Sequence, residues 1–543
     1  MSKTARSARS GVPAGPPAAG RGRTAVAGAT AAALALGVSE FVAGLADGVP
    51  SLVLAVGTGV IDSAPPAVKN VAIAVLGTAD KPALVAGIVV LAVAAGAVLG
   101  VAGARRFATA AVGFAAFGLL GALAAARDPR NVPGPTVLTA ALAAAVGLAV
   151  LRWLLVLAAG GAEPDAAEGG VGPAEGGRSA GPAEPIGQRG DRRAFLQATA
   201  ATGAAAVLSG WGGRYLTARA RTDAARAAVE LPSPARALAR APAGGGLDVR
   251  GLSPFYTPND RFYRIDTALS VPQVDPDSWR LRVVGMVQRP YELSYQQLLE
   301  LPQVEADITL SCVSNEVGGG LVGNARWLGV RLAEVLARAG VHPEATQVVG
   351  RSVDGFTVGF PTQAAIDGRD ALVAVAMNGE PLPVAHGFPA RLVVPGLYGY
   401  VSATKWLQEL ALTTWEGFDA YWVPRGWAKE GPVKTQSRID VPRDGASLPA
   451  GRQPVAGVAW APHRGIDRVE VQVDEGPWVQ ARLAGPGGVD TWRQWLVEWQ
   501  AAPGRHTIRC RATDGLGQRQ TQRRAPPAPD GATGWHTIRV AVR

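Results

Sequence analysis

The chain has 543 residues, 48% of them hydrophobic, a formal net charge of +10 and two cysteines. That length exceeds one ordinary core and implies about three or four folding units. Two cysteines exclude a disulfide framework, and nucleic-acid binding is set aside because the arginines are scattered and no Lys/Arg block is interleaved with aromatics.

Only twelve charged residues fall between Ala25 and Ala159, in a stretch dominated by Ala, Val, Leu and Gly. Spans long enough to cross a bilayer as helices are expected at 25–45, 83–103, 107–126 and 136–159. Basic residues, Arg21/Arg23 and Arg105/Arg106, mark their cytoplasmic ends. The stretch from Asp47 to Pro82, two shorter apolar runs broken by Asp62, Pro65, Pro66 and Lys69, is read as re-entrant or interfacial. Residues 1–159 are thus an N-terminal tail and transmembrane helices in contact with lipid. Residues 160–190 carry almost no large apolar side chains and read as a disordered cytoplasmic linker.

Residues 191–215 open with Asp191-Arg192-Arg193-Ala194-Phe195-Leu196-Gln197 and continue in an Ala-rich run to about Gly210. This resembles a twin-arginine export signal on a fifth and last span; a plain span with basic flanks is the alternative. Either reading places everything after Tyr215 on the extracytoplasmic face of the cell membrane. Residues 216–249 form a tether, with Ala218-Arg219-Ala220 a candidate cleavage site. Residues 250–440 mix short apolar strands (Leu281–Val284, Arg391–Val394) with a helix at 331–339, an α+β pattern. Residues 441–543 alternate, as in Val469–Val473, Thr507–Ala512 and Thr537–Val540, with Asp474-Glu475-Gly476 as a turn, which reads as a β-sandwich. Trp460, Trp478, Trp492, Trp495, Trp499 and Trp535 are assigned to its core or a dimer interface rather than to a glycan platform.

The densest cluster of chemistry is Thr309-Leu310-Ser311-Cys312-Val313-Ser314-Asn315-Glu316-Val317-Gly318-Gly319-Gly320. An apolar strand delivers Cys312 to a loop, and three glycines allow backbone to approach a bulky ligand. A thiolate suits a soft metal environment. A buried structural thiol remains an alternative, as does a cysteine nucleophile served by a distant histidine such as His386. Arg391 sits in an apolar strand, where an unpaired charge is costly, so it calls for a ligand or a carboxylate. His386, Ser402, Lys405 and Asn259, taken singly, read as ordinary structural or turn residues.

Five ordered motifs resemble the sulfite oxidase family of molybdopterin enzymes: Ser311–Asn315, Asn324–Leu332, Met377–Pro383, Ala385–Gly396 and Ser402–Leu407. Beside the multi-span α-helical membrane section read from composition, which has no counterpart in the family's soluble members, the resemblance implies an external α+β molybdopterin-binding domain and an immunoglobulin-like β-sandwich that serves homodimerisation. It implies a molybdenum-molybdopterin cofactor with Cys312 as catalytic residue and metal ligand, and Asn259, His386, Arg391, Ser402 and Lys405 contacting the pterin. It also implies oxygen-atom transfer to or from a small oxyanion or sulfur compound, in a direction that is not readable. Repair of oxidised methionines and a cofactor-free scaffold are the other two readings. Sulfite-oxidising members hold their anion with arginines at positions matched here by Pro258 and Val317, and their functional tyrosine is matched by Phe356. Sulfite is therefore expected to be a poor substrate, unless Arg261, Arg264 or Arg326 compensates. All five histidines follow the last span, so no haem is expected in the membrane section and electrons need a separate partner.

Overall fold

The computed structural model describes residues 20–46, 48–65, 68, 75, 80–159, 186–212, 218–238, 246–485 and 487–543. The chain divides into two compact units, Met1–Arg219 and Ala220–Arg543.

The first unit is helical. Arg21–Leu45, Asp80–Gly103, Phe107–Ala125 and Pro133–Ala159 are each long and apolar enough to cross a membrane, and at about 1.5 Å per residue each reaches roughly 30 Å or more. They hold the four apolar runs expected in 25–159. Their packing faces are built from small residues: Gly28 lies so close to Gly96 and Gly100 that neither helix could carry a Cβ there. This is the close backbone approach typical of helix pairs in an apolar solvent. Val90, Leu91, Val98, Val112 and Leu138 stay exposed on the outside. A shorter helix, Leu52–Ser63, starts in the 47–82 stretch; its N-cap Ser51 accepts from Leu54 N at 3.1 Å and donates to buried Glu40 at 2.6 Å. Most of 66–79 lies outside the described residues, as does the expected linker from 160 to 185. The linker's last residues, 186–190, instead open the helix Ile186–Gly212, which carries Arg192 and Arg193. Among the described residues that helix does not meet the apolarity of the other four. The 216–249 stretch contains the helix Ala218–Ala227, so the Ala218–Ala220 triplet lies on a helix.

In the second unit two mixed layers come first. One sheet runs Gln303–Ser311, Val322–Arg331, Leu372–Met377, Glu380–Pro381, with Arg391–Val393 also paired to Leu372–Met377. The other runs Tyr291–Ser294, Arg280–Gly285, Leu407–Thr413, Gln347–Ser352, Thr357–Pro361, and its Arg280–Gly285/Leu407–Thr413 pair is parallel. Leu372–Met377 is buried along its whole length, which explains its unbroken apolar run. The helix Leu332–Ala339 buries Leu332, Val335, Leu336 and Ala339, one face at helical spacing, and ends on Gly340 at φ 66°. These elements close on a core of Leu281, Leu298, Val348, Phe360, Leu392 and Leu410.

Two further sheets follow. Gln436–Val441, Gly451–Trp460, Arg493–Ala501 and Arg482–Leu483 form one; Ser447–Leu448, His536–Val542, Gly504–Asp514, Ile466–Val473 and Val479–Gln480 form the other. Their shared core holds Val455, Val469, Trp495, Ile508, Cys510 and Ile538. The first of these strands begins at Gln436, so the change of sheet precedes the expected boundary at 440 by a few residues. Cys510 is a free buried thiol, as is Cys312, so the two form no bridge.

Trp460 and Trp492 pack outside that shared core. They join Val313, Val322, Tyr398 and Val458 in a cluster between the C-terminal sheets and the loop after Cys312. Trp492 donates its indole N–H to Phe255 O at 2.8 Å and its backbone N–H to Thr309 Oγ1 at 2.7 Å. The reading of all six tryptophans as sandwich core or dimer interface is corrected for these two: they brace the strand that carries Cys312.

Candidate functional site

Cys312 follows directly on the strand Gln303–Ser311, and its backbone N–H donates to Leu321 O at 2.9 Å, closing the intervening loop. Asn315 Oδ1 accepts from Leu321 N at 2.8 Å and Arg438 donates to Gly319 O at 2.8 Å. Two of the three glycines pack against protein atoms. Gly318 sits at φ 82° against the His536 ring, and a Cβ on Gly319 would meet Asn315 Oδ1 at 2.6 Å. Only Gly320 faces open space among the three.

The Cys312 side chain lines a cleft of about 900 Å³, its open mouth included. Burial pushes the thiol up, and hydrogen bonding to Ser314 partly offsets this. His386, Arg391 and Lys405 line the same cleft. Gly387, at φ 112°, draws these three together, because a Cβ there would lie 3.0 Å from Lys405 Cα and 3.1 Å from Arg391 Cβ.

Arg391 is 5% exposed. It donates to His386 O at 3.0 Å and weakly to Leu392 O at 3.4 Å, and its guanidinium lies 5.1 Å from the centre of the Trp327 ring. Among the described residues no carboxylate pairs with it, and burial pushes it down to about 10. Of the two partners the sequence called for, the carboxylate is absent. Lys405 Nζ lies 2.8 Å from Asp266 Oδ2; burial pulls it down to about 8 against the pull of that carboxylate. His386 Nε2 is 3.1 Å from Asn259 O. Burial and the neighbouring Arg391 push the imidazole down to about 4, so it is neutral near pH 7, with Nε2 carrying the proton that the carbonyl accepts.

Two of the expected residues point elsewhere. Ser402 is fully buried and donates to Tyr398 O at 3.0 Å. The Asn259 side chain donates to Met377 O at 3.1 Å and Glu380 Oε1 at 2.5 Å, so it holds the 377–380 turn, and only its carbonyl reaches the site, through His386. The segment behind it supplies the cleft instead, with Phe262, Tyr263, Ile265, Asp266 and Thr267. Tyr263 is a phenol raised by burial and by Cys312, with Arg391 opposing. Pro258 and Val317 are not part of the lining, whereas Phe356 is. The three arginines offered as compensation do not line it either. Arg264 pairs with Asp266 at 2.8 Å, Arg326 with Asp307 at 2.8 Å, and Arg261 is exposed.

The remaining wall is aromatic. Ring contacts run from Phe356 to Tyr421 (5.6 Å), Tyr421 to Trp422 (5.2 Å), Trp422 to Trp427 (6.2 Å) and Trp427 to Tyr400 (5.9 Å). All but Tyr421 line the cleft. Sequence reasoning missed this wall, although the density of Phe418, Tyr421, Trp422 and Trp427 within ten residues was its visible signal.

Residues 268–422 match the oxidoreductase molybdopterin binding domain. The chain is 32% identical over 309 residues to the mitochondrial sulfite oxidase of Homo sapiens, covering 48% of this chain and 56% of that one. It is 34% identical over 313 residues to the sulfite oxidase of Gallus gallus, covering 48% and 67%. It is also 35% identical over 157 residues to the uncharacterized oxidoreductase YuiH of Bacillus subtilis, covering 29% and 76%. The match thus spans only a little over half the length of the human relative. A thiol, a buried arginine without an acid and a matching molybdopterin-binding segment meet in one cleft, and the chain belongs to the sulfite oxidase family of molybdopterin-dependent oxidoreductases.

Proposed function

We propose that the chain is a membrane-anchored oxidoreductase whose catalytic part lies outside the cytoplasm and exchanges an oxygen atom with a small oxyanion or sulfur compound. The observation that carries this reading is Arg391, a buried guanidinium with no carboxylate partner among the described residues, lining the same cleft as Cys312. Such a charge suits an anionic group brought in from outside, as the phosphate of a pterin is. The donor set fits molybdopterin: one thiol to ligate molybdenum, Arg391 and Lys405 to hold the anionic part, and neutral His386 to hydrogen-bond without adding charge. Ser402 would act through its backbone, and Asn259 by fixing His386. When bound, the group supplies a two-electron couple and the metal at which oxygen is exchanged. The balance is XO plus two protons and two electrons giving X plus water, or its reverse, with the electrons carried by a separate protein partner.

The anchor is supported by the four apolar helices; with Arg105/Arg106 and Arg192/Arg193 on the cytoplasmic side, an outside catalytic part requires Ile186–Gly212, less apolar than those four, to cross as a fifth span. We read the two C-terminal sheets, facing each other across one core, as the immunoglobulin-like sandwich and a homodimer contact. A cofactor-free scaffold has no use for an acid-free buried arginine. The test is molybdenum analysis of the purified chain alongside Cys312→Ala, which is expected to abolish turnover. Normal turnover of a fully loaded Cys312→Ala protein would remove the thiol from the site.

A further inference from the structure

The stretch that follows the helix Ile186–Gly212 in the chain is bonded into the second unit rather than strung loosely beside it. Val229 packs against the apolar cores of both mixed layers. Ala235 N donates to Gln303 O at 2.8 Å and Glu305 N to Arg236 O at 3.0 Å, so the chain runs parallel beside the edge strand Gln303–Ser311 that leads into Cys312. Arg236 pairs with Asp370 at 2.7 Å, and Leu238 N donates to Glu305 Oε2 at 2.8 Å. A flexible linker makes no such bonds. We propose that Arg226, in this stretch, is a positioning residue for the cofactor site: its guanidinium fixes the Glu380–Asn259 pair that holds the backbone partner of His386. This rests on the oxidoreductase reading above.

Arg226 grips the 380–382 segment at three residues. Its Nη2 donates to Glu380 Oε2 at 2.9 Å and to Pro381 O at 2.7 Å, and its Nε donates to Pro381 O at 3.1 Å and Leu382 O at 2.9 Å. The other oxygen of Glu380 accepts from Asn259 Nδ2 at 2.5 Å, Asn259 Oδ1 accepts from Asn378 Nδ2 at 2.8 Å, and Asn259 O accepts from His386 Nε2 at 3.1 Å. From the far end of the grip the chain enters the short helix Val384–His386, where His386 N donates to Pro383 O at 2.8 Å. Arg226 therefore acts on His386 from two directions, through the ring's acceptor and through the backbone that carries the ring. The Glu380 side chain is half-exposed, and a carboxylate so placed adopts many rotamers unless both oxygens are held. Here both are: the bond from Asn259, with Arg226 adding to it, keeps the carboxyl below its usual range, so it is ionised and accepts from both near pH 7. An ion pair this open contributes little to stability. Its effect is geometric, because a ligand contact is productive only when its supporting shell fixes it within about 0.5 Å.

The test uses the full chain in detergent, made in a host that supplies the cofactor. Molybdenum is measured per folded chain, with folding read by urea titration of the same chain made without cofactor. Arg226→Ala is expected to lower molybdenum per chain by several-fold to about tenfold, the low end of what loss of a partner behind a binding residue costs. Arg226→Lys, which keeps a cation near Glu380, is expected to restore most of the loading. Glu380→Gln is expected to lower it as Arg226→Ala does, and the two changes together to cost little more than either alone, as for members of one network. Arg236→Ala removes the half-exposed pair to Asp370 from the same stretch and is the control, expected to leave loading within about twofold. Loading untouched by both Arg226→Ala and Glu380→Gln, or lowered as much by Arg236→Ala as by Arg226→Ala, overturns the proposal, since Arg226 would then serve only to dock its own stretch of chain. If Arg226→Ala does not fold, Glu380→Gln and Arg226→Lys carry the same decision. A parent chain without molybdenum would instead defeat the oxidoreductase reading, so the two failures are distinguishable.

Discussion

Replacing Arg391 by methionine separates the stability of the folded chain from the loading of its site. In the cofactor-free protein, burial pushes the guanidinium down to about 10. At about 1.4 kcal/mol per tenfold change in proton affinity, carrying that charge inside costs the fold on the order of 3 kcal/mol. The sign follows from the direction: the unfolded chain holds the proton more tightly, so the full cost is present near pH 7 and is relieved only as pH rises above about 10. Methionine removes this cost but leaves the carbonyls of His386 and Leu392 without their donor. An orphaned buried acceptor costs about 1–3 kcal/mol, and the Leu392 contact is weak, so the two effects nearly cancel. The Arg391→Met chain without cofactor should therefore unfold in urea within about 1–2 kcal/mol of the parent, on either side. Molybdenum loading, by contrast, should fall by about tenfold or more, since charge-assisted bonds to an anion contribute roughly 1.5–3 kcal/mol each. Urea titration of protein made in a cofactor-deficient host, paired with metal analysis of protein made in a competent one, reads both. A loss of more than about 4 kcal/mol with loading unchanged would show that Arg391 serves the fold rather than a ligand.

Other outcomes follow from the same contacts. The low proton affinity of buried His386 means that the unfolded chain gains a proton first as pH falls, so the cofactor-free protein should lose stability between about pH 6.5 and 4, by on the order of 3 kcal/mol; a His386→Asn chain with the same acid profile would contradict this. Trp492→Phe removes the bond to Phe255 and part of the brace on the Cys312 strand, and should lower unfolding free energy by about 2–4 kcal/mol, whereas Trp478→Phe, outside that brace, should cost under about 1 kcal/mol. Steady-state sulfite oxidation with an artificial acceptor should be slow, and efficient turnover at micromolar sulfite would refute the cation count in the cleft. A fragment ending at Ala159 should show no b-type haem spectrum, because every histidine lies after it.

Much of the chemistry was legible in the residues because it is local. Hydropathy over some twenty residues marks the apolar helices regardless of what they pack against. Alternation marks Ile466–Val473 and Gly504–Asp514, since a strand shows its two faces in its own order of residues. A cysteine among turn residues at a strand end, and an arginine in an apolar strand, announce unusual chemistry without any knowledge of their neighbours. What tertiary structure decided is the direction of each side chain and the company it keeps. Asn259 and Tyr263 are four residues apart, yet Asn259 turns to the 377–380 segment while Tyr263 turns to Cys312, because each is placed by partners more than forty residues away in the chain. Ser402 is taken by the carbonyl of Tyr398. Trp492 reaches Thr309 across 183 residues of sequence. Phe356 joins the aromatic wall because the segment after Leu407–Thr413 returns along Thr357–Pro361, where Tyr421 N donates to Thr357 Oγ1 at 3.0 Å and the Tyr421 ring meets Phe356. No periodicity encodes such meetings; they arise when sheets close on a core and the side chains that cannot be buried there are left to line the cleft.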